Sequence, residues 1–321
     1  MTDFWNDHPE LSADLAEVRR LMSEIARRDD FPASDAMSDL VAGGGKMLRP
    51  AFLLLASRFG KPRRPDITRL AAAIELLHTA TLIHDDVIDG ALTRRGVPTV
   101  HARHGETVAV LSGDLLLARC FRLASESASP ANARLLARLV EDICVAEVRQ
   151  DFGAYDFSIG RREYLRRVAG KTALLFSLAF HAGASESKVA PRTAERLRRA
   201  GWDIGMAFQI IDDVLDFEGC EETVRKPLGR DLAEGVCTLP LILARATRGT
   251  ELDALLAKPP YAEETVLRAV AIVRESGAVE AARTEAALYT ARALKEIDRL
   301  PPNPARTELR AVADKLLLRA C

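Results

Sequence analysis

Aromatic residues are scarce in this chain, at 5% of 321 positions. Sandwiches and barrels draw on aromatic and β-branched residues in alternating runs, joined by Asn-Gly or Asp-Gly turns. No such turn stands here between alternating segments, so an all-β fold is excluded. Cysteine is also sparse. Cys120, Cys144, Cys220, Cys237 and Cys321 form no close pair with metal-ligand spacing, which predicts reduced thiols and excludes a disulfide scaffold. Charge of one sign is missing too. The net charge of −1 gives no global field to recruit nucleic acid. Arg-rich stretches such as RLRRA and GRREYLRR alternate with apolar and acidic residues and read as solvated helix faces. Long apolar runs are absent. The longest, Ala51 to Ala56, is far too short to span a bilayer, and MTDFWNDHPELSADL is too acidic and polar for a signal peptide. The expectation is a cytoplasmic protein with no transmembrane segment and no nucleic-acid partner.

What is present is helical pattern. Hydrophobic residues make up 48% of the chain, enough for a large core. Apolar positions recur at threes and fours: Ile67, Leu70, Ala71, Ile74 and Leu77; Val108, Leu111 and Leu115; Leu135, Leu139 and Ile143. Breakers punctuate the pattern at Gly43-Gly44-Gly45, Gly60 to Pro65, Gly96 to Pro98, Pro130, Gly160, Pro191, Pro227 to Gly229, Pro259-Pro260 and Pro301-Pro302. No linker divides the segments. The prediction is an all-α chain, residues 1–321 as a single domain, folded as one large helical bundle of the kind that builds polar sites from facing helices.

Two copies of one acidic pattern then stand out. Asp85-Asp86-Val87-Ile88-Asp89 lies in LLHTATLIHDDVID, and Asp212-Asp213-Val214-Leu215-Asp216 lies in MAFQIIDDVLDF. Carboxylates among Leu, Ile and Val are costly to desolvate unless something positive holds them. Six in two matched groups ask for a cation, and all-oxygen ligands point to magnesium, which joins a few carboxylates to substrate phosphates. Asp85 and Asp89 share a helix face, with His78 near the same stripe. The helix is predicted to run to about Ala91. Beyond it, Arg94 and Arg95 offer two guanidinium forks for phosphate groups. Gln209 shares a face with Asp212 and follows Phe208. Gly43-Gly44-Gly45-Lys46-Met47-Leu48-Arg49-Pro50 sets a glycine turn before a helix, where backbone amides, Lys46 and Arg49 can cradle an anion. It lacks the P-loop spacing. Lys171-Thr172 sits in the apolar helical run VAGKTALLFSLAF, and Lys226 in the polar loop RKPLGRDL.

In order, GGKMLRP, HTATLIHDDVID, RRGVP, GDLL, KTALLF, AFQIIDDVLDF and KPLGRDLAEGVCTLP resemble the trans-isoprenyl diphosphate synthase (polyprenyl synthetase) family over nearly the whole chain. The resemblance implies the isoprenoid synthase fold with a central active-site cavity. It implies magnesium, three ions with substrate bound, on Asp85, Asp89 and Asp212, with Asp86, Asp213 and Asp216 in support. Lys46, Arg49, His78 and Arg95 would bind isopentenyl diphosphate. Arg94, Lys171, Thr172, Gln209 and Lys226 would surround the allylic diphosphate or the charge that develops on ionisation, with Phe208 beside them. Two departures stand out. Met47 replaces a frequent basic residue, and Val236 replaces a Lys that touches the allylic diphosphate in many members.

The implied reaction is head-to-tail condensation of isopentenyl diphosphate with an allylic diphosphate. A ruler follows from helix geometry: Thr81 and Ala80 lie roughly 6–7.5 Å below Asp85, and Ile74 roughly 16 Å below. Thr81 and Ala80 are small where short-chain members carry an aromatic floor. The expected product is therefore longer than farnesyl (C15), in the C30–C50 range, with geranylgeranyl (C20) second. Ala80→Phe is expected to shorten it. A class I terpene cyclase would not need the isopentenyl diphosphate set. A regulatory subunit would tolerate loss of the six Asp residues. A homodimer is expected from the family, and a heteromeric partner stays open.

Overall fold

The computed structural model describes residues 3–27, 31, 33–43, 45–94, 96–218 and 228–317. The fold is all-α. The first half runs α1 Pro9–Ala26, α2 Ser34–Ala42, α3 Leu48–Ser57, α4 Arg64–Ile88, α5 Val100–His104, α6 Glu106–Ser127 and α7 Pro130–Phe152. The second half runs α8 Arg161–Val168, a π-helical turn Ala169–Ala173, α9 Leu174–Glu186, α10 Pro191–Glu218 and α11 Arg230–Ala233. It ends with α12 Leu239–Leu255, α13 Glu263–Glu275, α14 Ala278–Asp298 and α15 Pro304–Leu317. Strand structure among the described residues is one two-residue pairing, Thr93 with Pro98 and Arg94 with Val97. No described helix is long and apolar enough to cross a membrane. Cys120, Cys144 and Cys237 are free thiols.

The chain forms two compact units. One holds Met1–Ala137, Leu178–Leu197 and Pro301–Glu308; the other holds Arg138–Ser177, Arg198–Leu300 and Leu309–Cys321. In the first, α3 is buried along nearly its whole length, with Phe52 stacked on Phe180 at 4.9 Å between centroids. Gly183 lies directly on α3: a Cβ there would stand 2.2 Å from the Leu53 carbonyl oxygen. Helix α4 starts with Pro65 in its first turn and Asp66 behind it, both favourable at a helix N-terminus.

Helix α4 stops earlier than the pattern predicts, at Ile88 rather than near Ala91. Gly90 is the reason. It adopts φ +61°, where glycine carries no Cβ penalty. Its N–H donates to Val87 and that of Ala91 to Asp86, the paired bonds of a Schellman stop.

Helix α6 turns a different face inward from the one its apolar stripe suggests. Leu111 is 54% exposed, whereas Ala109, Ser112, Gly113, Leu116 and Cys120 are buried. Small size decides it: a Cβ on Gly113 would stand 2.2 Å from the ring of His84 on α4, so the bare backbone lets the helices close. In the second unit, Phe176, Phe217, Ile204, Ile210 and Val214 are buried, and α10 carries much of that core.

Candidate active site

The last turn of α4 places the first Asp triplet. Asp86 is buried and Asp85 half-buried; Asp89 is exposed and caps the helix. A buried carboxylate needs a partner, and Arg94 supplies it: its Nε donates to Asp86 Oδ1 at 2.7 Å. The short strand pair brings Arg94 back toward α4. Thr99 then ties the segment down, its Oγ1 donating to the Ala91 carbonyl at 2.8 Å and accepting from the Ala102 amide that starts α5. Arg94 is thus the counter-ion of the triplet it follows. Arg95 lies outside the described residues.

The glycine turn and His78 come together in the same unit. Gly45, Met47, Glu75, His78, Thr79 and Leu82 line one small cavity of about 20 Å³. Met47, at φ 52°, is the left-handed residue that leads into α3. Lys46 is held by the N-terminal segment: Trp5 Nε1 donates to its carbonyl at 2.7 Å, and its ammonium sits 5.1 Å from the centroid of the Phe4 ring. Arg49 is half-buried on the first turn of α3. Gly44 is outside the described residues.

In the second unit, the C-terminal turns of α10 carry Phe208, Gln209 and the second triplet. Asp213 is a hydrogen-bond hub. It accepts from Tyr164 Oη at 2.6 Å and from Gln209 Nε2 at 2.9 Å, while Thr172 Oγ1 donates to Gln209 Oε1 at 2.7 Å. Burial, above all, pushes the Asp213 carboxyl up to about 7; the Tyr164 and Gln209 bonds pull it down, and the charges of Asp212 and Asp216 raise it further. Asp216 accepts from the Arg230 and Asp231 amides at 3.1 and 3.2 Å, so its side chain fastens the segment that opens α11. Burial raises its pKa, opposed by those two bonds. Asp231 is raised as well, by burial first and then by the charges of Asp213, Asp216 and Glu234.

Lys171 and Thr172 belong not to a regular helix but to the π-helical turn between α8 and α9. Such wide turns recur at functional sites. Lys171 Nζ lies 3.0 Å from Glu147 on α7, and Phe208 packs its ring 5.6 Å from Phe176. Val236 is half-buried and donates its amide to the Asp231 carbonyl. Lys226 lies outside the described residues. Tyr164, Glu147 and Asp231 were not singled out by sequence pattern. Tyr164 reaches Asp213 across 49 positions, a separation that no local spacing reports.

Among the described residues, no three His, Cys, Asp or Glu side chains form a ready metal cage. The donors are nevertheless all carboxylate oxygen, and the buried acids of the second unit repel one another. That chemistry suits a hard divalent ion that takes part of its shell from substrate phosphates.

A helical chain with an Asp triplet at the end of each of two long helices has the making of an isoprenoid synthase. The polyprenyl synthetase family model matches residues 32–273. Component 2 of heptaprenyl diphosphate synthase from Geobacillus stearothermophilus is 37% identical, over 94% of this chain and 95% of that one. The nonaprenyl diphosphate synthase of Mycobacterium tuberculosis is 36% identical, over 94% and 91%. A crystal structure of a Caulobacter crescentus polyprenyl synthase, complexed with calcium and isoprenyl diphosphate, superposes with a TM-score of 0.89 at 37% identity, covering 96% of this chain and 95% of that one. The chain belongs to the polyprenyl synthetase family.

Proposed function

We propose that this protein is a magnesium-dependent trans-prenyltransferase that condenses isopentenyl diphosphate with an allylic diphosphate, and that its product lies in the C30–C50 range. The observation that carries this reading is the paired Asp triplets, one closing α4 beside Arg94 and one near the end of α10. Asp85, Asp89 and Asp212 are the magnesium ligands in this reading, and Asp86, Asp213 and Asp216 support them. The three supporting carboxylates are fixed in place: Arg94 holds Asp86, Tyr164 and Gln209 hold Asp213, and two backbone amides hold Asp216. The Caulobacter relative, crystallised with a divalent cation and isoprenyl diphosphate, supports the same chemistry.

Bound magnesium supplies positive charge where the departing diphosphate builds negative charge. The chain's own part is positional. Lys171, Thr172, Gln209 and Lys226, with Arg94, orient the allylic diphosphate and balance charge as its C–O bond breaks. Lys46, Arg49, His78 and Arg95 hold isopentenyl diphosphate so that its double bond meets the allylic cation. The proton lost in closing the reaction goes to the released diphosphate. Apolar neighbours of the triplets keep water from the cation. In this reading the protein works as a homodimer in the cytoplasm.

A second reading has a specific support: the Geobacillus relative is named as one component of a synthase. In that case this chain is a catalytic subunit that needs a partner. One experiment separates the readings. Purified protein is given isopentenyl diphosphate, magnesium and either geranyl, farnesyl or geranylgeranyl diphosphate, and products are resolved by chromatography. Polyprenyl products beyond C15 are expected. A wild-type product that stops at C15 or C20 overturns the length. Turnover of the allylic substrate without consumption of isopentenyl diphosphate points to a cyclase. A protein inactive alone but active with a second component establishes the subunit reading.

A further inference from the structure

We propose that Glu147 is a positioning residue for the allylic substrate, acting through Lys171 as the counter-ion that the diphosphate must replace with its own oxygens. The proposal deepens the reading above and rests on the place of Lys171 in it. Glu147 lies on α7, an element that carries none of the motif residues. Its carboxylate meets Lys171 Nζ with both oxygens, each at 3.0 Å. The approach is built into the backbone. Gly170, the residue before Lys171, lies against α7 so closely that a Cβ there would stand 3.1 Å from the Ala146 methyl. The π-helical turn and the absent side chain at 170 together bring the ammonium to Glu147.

Both side chains keep partial access to water, 37% for Lys171 and 24% for Glu147. A pair with that access is held lightly, so exchange for a more highly charged diphosphate is easy. Glu147 therefore restrains Lys171 and draws off part of its charge. Because each elongated product is also the next allylic substrate, that restraint tempers the grip on the growing chain at every round.

The test uses full-length wild type, Glu147→Gln, Glu147→Asp, Lys171→Gln and the double variant Glu147→Gln/Lys171→Gln. Farnesyl diphosphate is titrated calorimetrically with magnesium present, and KM is measured for both substrates. Glu147→Gln is expected to tighten farnesyl diphosphate about fivefold, the span an exposed ion pair commands, with KM for isopentenyl diphosphate unchanged. Glu147→Asp keeps the charge and returns toward wild type. In the Lys171→Gln background, Glu147→Gln changes nothing. Equal or weaker binding by Glu147→Gln overturns the proposal, as does tightening that persists without Lys171. A fall in melting temperature with binding unmoved also overturns it, since that is the mark of a purely structural pair. If Lys171→Gln binds farnesyl diphosphate like wild type, the proposal fails while the prenyltransferase reading stands, because product formation tests that reading separately.

Discussion

At the scale of single residues, Asp213 is where charge, burial and hydrogen bonding meet. Its side chain is buried, and Tyr164 and Gln209 supply the donors that make this tolerable. Removing one donor from a buried acceptor costs about 1–3 kcal/mol, more for a charged group. Tyr164→Phe is therefore expected to lower stability by that amount, read as a shift in denaturant midpoint. It is also expected to lower kcat by about an order of magnitude, because in the proposed reading Asp213 backs the magnesium ligand Asp212 beside it. An unchanged kcat would leave Tyr164 with a structural role alone. The six Asp residues were legible in the sequence because helix spacing of four and an apolar setting both mark them. Tyr164 and Glu147 were not. Each approaches its partner across a long separation, 49 and 24 positions, and pattern carries no record of such contacts.

At the scale of elements, two glycines decide where Lys171, Thr172 and Gln209 stand. Gly170 admits α7 to the π-helical turn, and Gly205 admits the same turn to α10. A Cβ on Gly205 would lie 2.6 Å from the Ala173 Cα, a backbone atom that cannot rotate away. Gly205→Ala is thus expected to push α10 outward one turn before Gln209 and the second triplet. Overpacking of this kind costs about 1–3 kcal/mol. A lower unfolding midpoint together with weaker binding of the allylic diphosphate checks it, and a variant as stable as wild type would show that the turn yields instead. The helices themselves could be read from periodicity, but their exact faces and ends could not. The spacing of Val108, Leu111 and Leu115 marked α6 as a helix but not its buried face, which the small residues Ala109, Ser112 and Gly113 take because they permit close approach. The π-helical turn escaped notice because AGKTA has the composition of any α-helix.

At the scale of the whole molecule, the remaining question is how far the product grows. The relatives named for heptaprenyl and nonaprenyl products agree with a chain longer than farnesyl. The ruler on α4 can now be placed more sharply. Ala80 is only 2% exposed, so a phenyl ring there would first have to overpack the core of its own unit. An Ala80→Phe result would mix a shorter product with a damaged fold. Thr81 is half-buried, four residues before Asp85, and anchors itself by donating Oγ1 to the His78 carbonyl at 2.8 Å. Thr81 is less enclosed than Ala80, so a ring at 81 displaces less of the core, and it stands roughly 6 Å below the turn that holds magnesium in the proposed reading. Thr81→Phe is expected to fold with a near-native melting temperature and to shift the product distribution toward C15–C20, measured by chromatography after geranyl priming. A distribution unchanged from wild type would mean that a residue on another helix sets the floor, and that the α4 ruler does not measure the product.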